Sequence, residues 1–396
     1  MQDHMETRAV HCGETRGGAY DALTTPIVMS STYTFDNTQA IREFVEHKAE
    51  RSPAERYEYG RYGNPTQTAA ERKLATLDGG EQALLFASGM AAITTSLLTL
   101  LSAGDHLVIL GGVYRRTRTF ASQQLARWGV DVSFVCAEAF EEAIQPTTRA
   151  IFFEVPTNPT LRVPNVEKII ASAKRHAMAT VVDATFATPV NLRPLELGAD
   201  LVIHSATKYI GGHNDLLAGV AVGSAEALGP IEEARGILGG VASPLDAYLV
   251  LRGAKTLPLR VRRQNESALR LAEFLKQHPA VSRVHYPGLP DHPDHAVAAR
   301  LMSGFGGVVS FELAGGSDAA STCIDKLEIP HIGPTLGGVE SIAQQQALFI
   351  SRDPAKRAEY GIPDALIRYA VGIEAIDDLI VDLRNALRGL PTTGEV

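Results

Sequence analysis

Between residues 83 and 222 the chain alternates short apolar runs with helical stretches, and no other feature limits the fold so strongly. The runs at 83–87, 106–110, 130–135, 150–154, 180–182, 201–204 and 218–222 have the length of buried strands. Helical stretches such as 91–101, 117–128 and 166–175 lie between them. A parallel strand pair needs a crossover, and a crossover helix covers the sheet it spans. The pattern therefore predicts an α/β domain, a mostly parallel seven-stranded sheet with helices on both faces. In such sheets ligands bind beyond the carboxyl ends of the strands, so chemistry is sought just after each apolar run.

The flanking segments read differently. A chain of 396 residues exceeds one ordinary core, so a second domain and arms are expected. Residues 1–60 form an N-terminal arm, irregular before a helix at about 39–48 and a charged link at 49–56. An arm that buries little of its own surface packs on something else, here a neighbouring subunit. Residues 61–255 hold the α/β domain, where a helix from Thr66 to Leu77 stops at Gly79-Gly80. A long helical stretch over 244–278 leads into a smaller α+β C-terminal domain, residues 256–396. Its strands are expected at 281–286, 307–313 and 365–371, its helices near 317–327 and 375–387, and its last residues, 391–396, as disordered.

Composition excludes several classes. With 21% charged and 45% apolar residues the chain is a globular, soluble one, and a net charge of −8 gives no case for nucleic acid or anionic membranes. Cys12, Cys136 and Cys323 are scattered, which suggests a reducing, cytoplasmic setting and neither a disulfide framework nor a zinc site. No signal-type apolar segment opens the sequence, and the uncharged run 83–101 reads as core. His292 and His295 are placed in a solvated Pro/Asp loop, so no metal is expected.

The residues after the apolar runs carry the chemistry. Lys208 follows the run ending at His204, beside Ser205 and Thr207. A lysine there suits a Schiff base to an aldehyde whose phosphate the hydroxyls hold, which describes pyridoxal 5'-phosphate (PLP). Such a site needs a carboxylate for the pyridine nitrogen, and Asp183 ends the run at 180–182. It needs an anion site, and Ala87-Ser88-Gly89-Met90 follows a strand and opens a helix. An aromatic face for the ring is supplied by Tyr114. Each signal alone has an ordinary structural explanation; their conjunction at consecutive strand ends is the argument.

With Tyr59-Gly60-Arg61, Asn64-Pro65-Thr66, Pro156-Thr157-Asn158-Pro159, Ser205-Ala206-Thr207-Lys208-Tyr209, Gly211-Gly212-His213, Leu336-Gly337-Gly338-Val339-Glu340-Ser341 and Ile367-Arg368-Tyr369, these residues resemble a known family. It is the cystathionine γ-synthase/cystathionine γ-lyase/methionine γ-lyase family of fold-type I PLP enzymes. The resemblance implies that Lys208 carries the cofactor and shuttles protons, that Asp183 meets the pyridine nitrogen, and that Tyr114 stacks on the ring. It assigns the phosphate to Ser88, Gly89, Met90, Ser205 and Thr207, joined by Tyr59 and Arg61 from the neighbouring subunit of a homotetramer. Arg368 takes the substrate carboxylate, with Asn158 and Ser341 near it, and Glu340 marks γ-carbon chemistry. Tyr62-Gly63-Asn64-Pro65 and Tyr114-Arg115-Arg116-Thr117-Arg118 look most like plant-type synthases, with Arg116 facing an anionic leaving group. Gln345-Gln346-Ala347 departs from the usual His-Pro-Ala or Gln-Pro-Ala.

The expected activity is γ-replacement on an O-activated homoserine by a thiol such as cysteine, a step of trans-sulfuration in methionine biosynthesis. The alternatives are a γ-lyase, an O-acetylhomoserine sulfhydrylase or a secondary-pathway enzyme. A non-catalytic binder would have lost Lys208, Asp183 or Arg368, and a nucleotide-binding enzyme would carry a Gly-x-Gly-x-x-Gly turn.

Overall fold

In the computed structural model, which describes residues 4–15, 17–49, 56–350, 357 and 361–394, every apolar run of the α/β segment becomes a strand. These are β1 (Gln82–Phe86), β2 (His106–Leu110), β3 (Asp131–Val135), β4 (Thr148–Glu154), β5 (Ala179–Asp183), β6 (Leu201–His204) and β7 (Gly219–Gly223). They form one sheet in the order β1-β7-β6-β5-β4-β2-β3, parallel except that β7 runs antiparallel to both its neighbours. Alternate residues of β2 feed opposite faces. Leu107 and Ile109 join a core with Ile93 and Leu97, while Val108 and Leu110 pack with Val166 and Ile169. The chain reverses direction across the sheet at β2 and β4, and the crevice beyond their carboxyl ends is the binding position for this architecture.

A smaller sheet follows, with β8 (Val281–His285), β9 (Val308–Leu313), β10 (His331–Ile332), β11 (Ile342–Gln345) and β12 (Leu366–Ala370) in the order β10-β11-β12-β9-β8. Only β10 and β11 pair in parallel. A single apolar core runs from Leu74 and Tyr209 through Leu271 and Leu275 to Tyr369 and Leu383, so the two sheets are packed through the helix Leu257–Lys276. Among the described residues no helix is long and apolar enough to cross a membrane.

Several expectations need correction. The helical stretch 244–278 is two helices, Pro244–Ala254 and Leu257–Lys276, with Pro258 at the start of the second. The stretch 117–128 is an α-turn, Arg115–Thr119, running into a π-helix, Phe120–Leu125. The arm also contains a helix, Met5–His11, and its second helix spans Thr38–Ala49. Most of the charged link at 49–56 lies outside the described residues. Residues 391–394, expected as disordered, are packed on the body, with the Thr393 N–H donating to the Pro279 carbonyl at 2.9 Å. His292 is buried, not solvated, and burial pushes its imidazolium down to about 4; His295 starts the helix His295–Leu301.

One contact sets the site's position relative to this frame. Arg260, buried on the helix Leu257–Lys276, donates to the carbonyls of Tyr209 at 2.6 Å, Gly253 at 2.8 Å and Ile210 at 3.3 Å. Burial pushes its guanidinium down to about 10. It ties the loop after Lys208 to the helical junction.

Replacing it should therefore be costly. Arg260→Met leaves the Tyr209 and Ile210 carbonyls buried without this donor, at roughly 1–3 kcal/mol each. A fall in the urea midpoint equivalent to about 2–5 kcal/mol is expected. Arg260→Lys should recover only part of it, since one ammonium cannot span the same carbonyls. A midpoint unchanged in Arg260→Met would refute this anchoring.

Candidate active site

Three adjacent parallel strands end on ionisable residues: Glu154 on β4, Asp183 on β5 and His204 on β6. The register sets Glu154 opposite Asp183 and Asp183 opposite Ile203. Asp183 is 8% exposed and accepts at Oδ1 from the Thr185 N–H at 3.0 Å and hydroxyl at 2.5 Å. Burial raises its carboxyl above the ordinary range, and those two bonds and the His204 charge oppose the rise. Glu154 is raised well above its usual value, by burial first and then by Asp183's charge. Of the two carboxyls, Glu154 is the more strongly driven to its neutral form, while the bonds from Thr185 favour the ionised form of Asp183. Glu154 also accepts a hydrogen bond from the Tyr114 N–H, which fixes the turn carrying that ring.

Lys208 stands four residues beyond β6, and its Nζ donates to Thr335 Oγ1 at 2.8 Å across the cleft between the two sheets. Burial, and then the Arg368 charge, push its ammonium down to about 8. A lysine in this state has a substantial neutral fraction near physiological pH and can act as nucleophile and as base.

The anion position is built by close backbone approach. Ser88 caps the helix Gly89–Leu100, its hydroxyl accepting from Ala91 N–H at 3.1 Å. A Cβ on Gly89 would lie 2.8 Å from Ser205 Cβ, and one on Gly219 would lie 2.2 Å from the Ser88 carbonyl oxygen. Only glycine lets these three segments close around the helix N-terminus. The Ser205 N–H is taken by Thr185 Oγ1 at 2.8 Å, which leaves its hydroxyl beside Gly89. The Thr207 hydroxyl bridges the backbone N–H and carbonyl of Ala218 at 3.0 and 3.2 Å. Met90 accepts a weak contact from Thr117 Oγ1 at 3.8 Å, joining this helix to the turn after Tyr114.

Opposite lies the cationic end. Arg368, on β12, is 3% exposed and donates to Asn158 Oδ1 at 3.1 Å and to the Pro334 and Thr335 carbonyls. Its Nε is buried without a partner. Burial pushes its guanidinium down to about 10. A buried guanidinium held only by neutral acceptors, one donor unused, suits a carboxylate. Asp183, the glycine cradle, Lys208 and this arginine thus fit PLP and an amino-acid substrate.

Other predicted residues lie at the rim or beneath it. Tyr114 is 44% exposed, and Arg116 is exposed on the short helix that follows. Glu340 is exposed, with Oε2 accepting from Asn214 at 2.8 Å. Ser341 is fully buried and bonded to Glu374 through both its N–H, at 2.6 Å, and its hydroxyl, at 2.9 Å. It braces the corner below Glu340. Arg61 donates to the Gly236 carbonyl of its own chain at 2.5 Å and lies over Tyr62, while Tyr59 is 42% exposed. Sequence reasoning missed Glu154, Thr185, Thr335 and Glu374; Glu154 had a signal, since its strand ends on a carboxylate as β5 does.

The profile of Cys/Met metabolism PLP-dependent enzymes matches residues 6–388. Cystathionine gamma-synthase 1, chloroplastic, of Arabidopsis thaliana is 45% identical over 389 residues, covering 96% of this chain and 68% of that protein. Cystathionine beta-lyase of Coxiella burnetii is 40% identical over 396 residues, covering 98% of each. The crystal structure of metB from Corynebacterium glutamicum superposes with a TM-score of 0.90 at 36% identity, covering 97% of this chain and 98% of that one. The architecture is that of fold-type I PLP enzymes.

The state of Lys208 is open to measurement. In cofactor-free protein, its acylation rate should rise with pH about a midpoint near 8, since burial favours the neutral amine. Arg368→Gln removes a like charge and should move that midpoint up. A midpoint in the ordinary lysine range would contradict the desolvated site.

Proposed function

We propose, from the premise that the chain belongs to the Cys/Met metabolism PLP-dependent enzyme family, that it catalyses γ-replacement on an O-activated homoserine with cysteine as the thiol. The observation that carries the amino-acid substrate is the meeting of Lys208 with Arg368 and Asn158 in one cleft. The choice of replacement leans on the 45% identity to a protein named cystathionine gamma-synthase.

PLP, when bound, supplies the electron sink for carbanion chemistry. In this reading Lys208 would hold it covalently and then, as a base lowered to about 8, would move the protons at the substrate's α and β carbons whose loss frees the γ-substituent. Asp183 faces the pyridine nitrogen, Tyr114 covers the ring, and Ser88, Gly89, Met90, Ser205 and Thr207 hold the phosphate. Arg368 fixes the α-carboxylate, helped by Asn158, while Ser341 supports Glu340 near the γ-carbon. Arg116 meets an anionic leaving group. The exposed Tyr59 and the Arg61 beside it serve a neighbouring subunit's phosphate in a homotetramer, supported by their place on the arm outside the large sheet. The three scattered cysteines, none of them in a disulfide, support a cytoplasmic setting. Elimination is the second reading, favoured by the 40% identity to a protein named cystathionine beta-lyase.

Products separate the two readings. With O-phospho- or O-succinylhomoserine and cysteine, the expected product is cystathionine; an α-keto acid and ammonia at the same rate with or without cysteine would overturn replacement. Arg116→Ala should lower kcat/KM for the charged donors about ten- to a hundredfold, at about 1.4 kcal/mol per decade. O-Acetylhomoserine should lose much less, and equal losses would remove Arg116 from leaving-group recognition.

A further inference from the structure

Behind Asp183 lies an ion pair that no step above uses. His204 ends β6 and Asp78 ends the helix Pro65–Asp78, with imidazole Nε2 3.0 Å from Asp78 Oδ1. Their side chains are 1% and 0% exposed, and Asp78 Oδ2 and His204 Nδ1 are buried without hydrogen-bond partners. An ion pair sealed this way stabilises a fold no better than apolar residues of the same shape. Its position is more informative than its packing. Ile203, the residue before His204, is the register partner of Asp183, and its carbonyl accepts from the Ala184 N–H at 2.9 Å.

We propose that His204, kept charged by Asp78, is a positioning residue that holds Asp183 ionised and so sets the pH range over which the pocket accepts the cofactor's ring. The proposal rests on the reading of Asp183 as partner of the pyridine nitrogen. Charges then alternate from the strand ends to the helix behind them: neutral Glu154, anionic Asp183, cationic His204, anionic Asp78. Burial works against the imidazolium, but the Asp78 carboxylate, and Asp183 after it, hold it above the ordinary histidine range. Among the described residues, Asp78 and Asp183 are the two charges that act on the imidazolium. The helix Gly89–Leu100 carries none, and β7 sets Val220 opposite His204. Arg193 and Glu196 below β6 pair with each other at 2.9 Å, and on Asp78's own helix Glu71 and Lys73 are paired with Arg235 and Glu14.

The sign of the effect follows. Burial already raises the Asp183 carboxyl, and loss of the His204 charge raises it further. Asp183 then takes a proton at a higher pH, so cofactor binding weakens first on the acid side and is unchanged well above the titration.

The test uses the full chain, stripped of cofactor, with D78N and H204Q combined as an uncharged pair of similar shape. The Kd for pyridoxal 5'-phosphate should rise several-fold at about pH 5, up to the roughly tenfold that one pKa unit allows, and less than about twofold at about pH 8.5. D78E, which restores the carboxylate, should keep the wild-type pH profile. Should the double variant fail to fold, D78N alone, which removes the anion but keeps the imidazole, is read by the same criteria. Equal weakening at both pH values, or no weakening, would overturn the proposal and leave the pair a structural brace. D183N is measured alongside: if it leaves cofactor affinity and its pH dependence intact, the role of Asp183 falls first and this proposal with it. Neither result touches the choice between replacement and elimination.

Discussion

A carboxylate kept charged inside a closed sheet edge is the constraint on which the rest of this structure depends. Taking one ion out of water costs several kcal/mol even after relaxation, so Asp183 is tolerable only with compensation close by. Thr185 gives its N–H and hydroxyl, and Ser205 in turn anchors Thr185. Glu154, one strand away, yields by staying neutral. All these groups come from strand ends or the turns after them, because parallel strands end together on one edge of the sheet. The fold supplies the compensation that a lone aspartate could not find.

The second buried charge needs the second sheet. Arg368 sits on β12, flanked by β11 and β9, and meets Asn158 from the loop after β4. Lys208 lies between the two charged ends and feels both burial and the arginine. A cleft shared in this way works only if the sheets hold a fixed separation. Arg260 on the linking helix, bonded to the loop after Lys208, and the continuous core from Leu74 to Leu387 provide that.

Much of this was legible because buried strands of a parallel sheet are apolar throughout. The seven runs of the large sheet stand out for that reason, and Lys208, Asp183 and Tyr114 could be placed at their ends. β11 was not visible, since Ile342–Gln345 contains two glutamines that are buried all the same. Gln345 is satisfied by Ser321, Ser317 and the Asp364 carbonyl, a solution that exists only after the chain has folded. The helix Ala225–Leu238 hides behind Pro230, which breaks the usual pattern from within. His292 looked solvated among prolines and aspartates, yet its ring is buried and its Nδ1 accepts from the Asp294 N–H at 3.2 Å. In each case tertiary partners overrule a local signal.

The residues divide by depth, and the division explains why the cofactor could be read from sequence more firmly than the leaving group and the thiol. Asp183, Arg368 and Gly89 are buried and tightly packed, so exchange of any one meets a charge penalty or a clash. Arg116 and Glu340 are exposed, the first on a short helix and the second held by a single bond from Asn214. Rim positions of this kind exchange at little cost to stability, typically within about 0.5 kcal/mol. A scaffold built this way can keep its cofactor chemistry while the rim alters the fate of the substrate's γ-substituent. Relatives at 45% and 40% identity with synthase and lyase names fit that division. Change at the rim then meets the least resistance from the fold, whereas change among the buried set is opposed by packing and charge together.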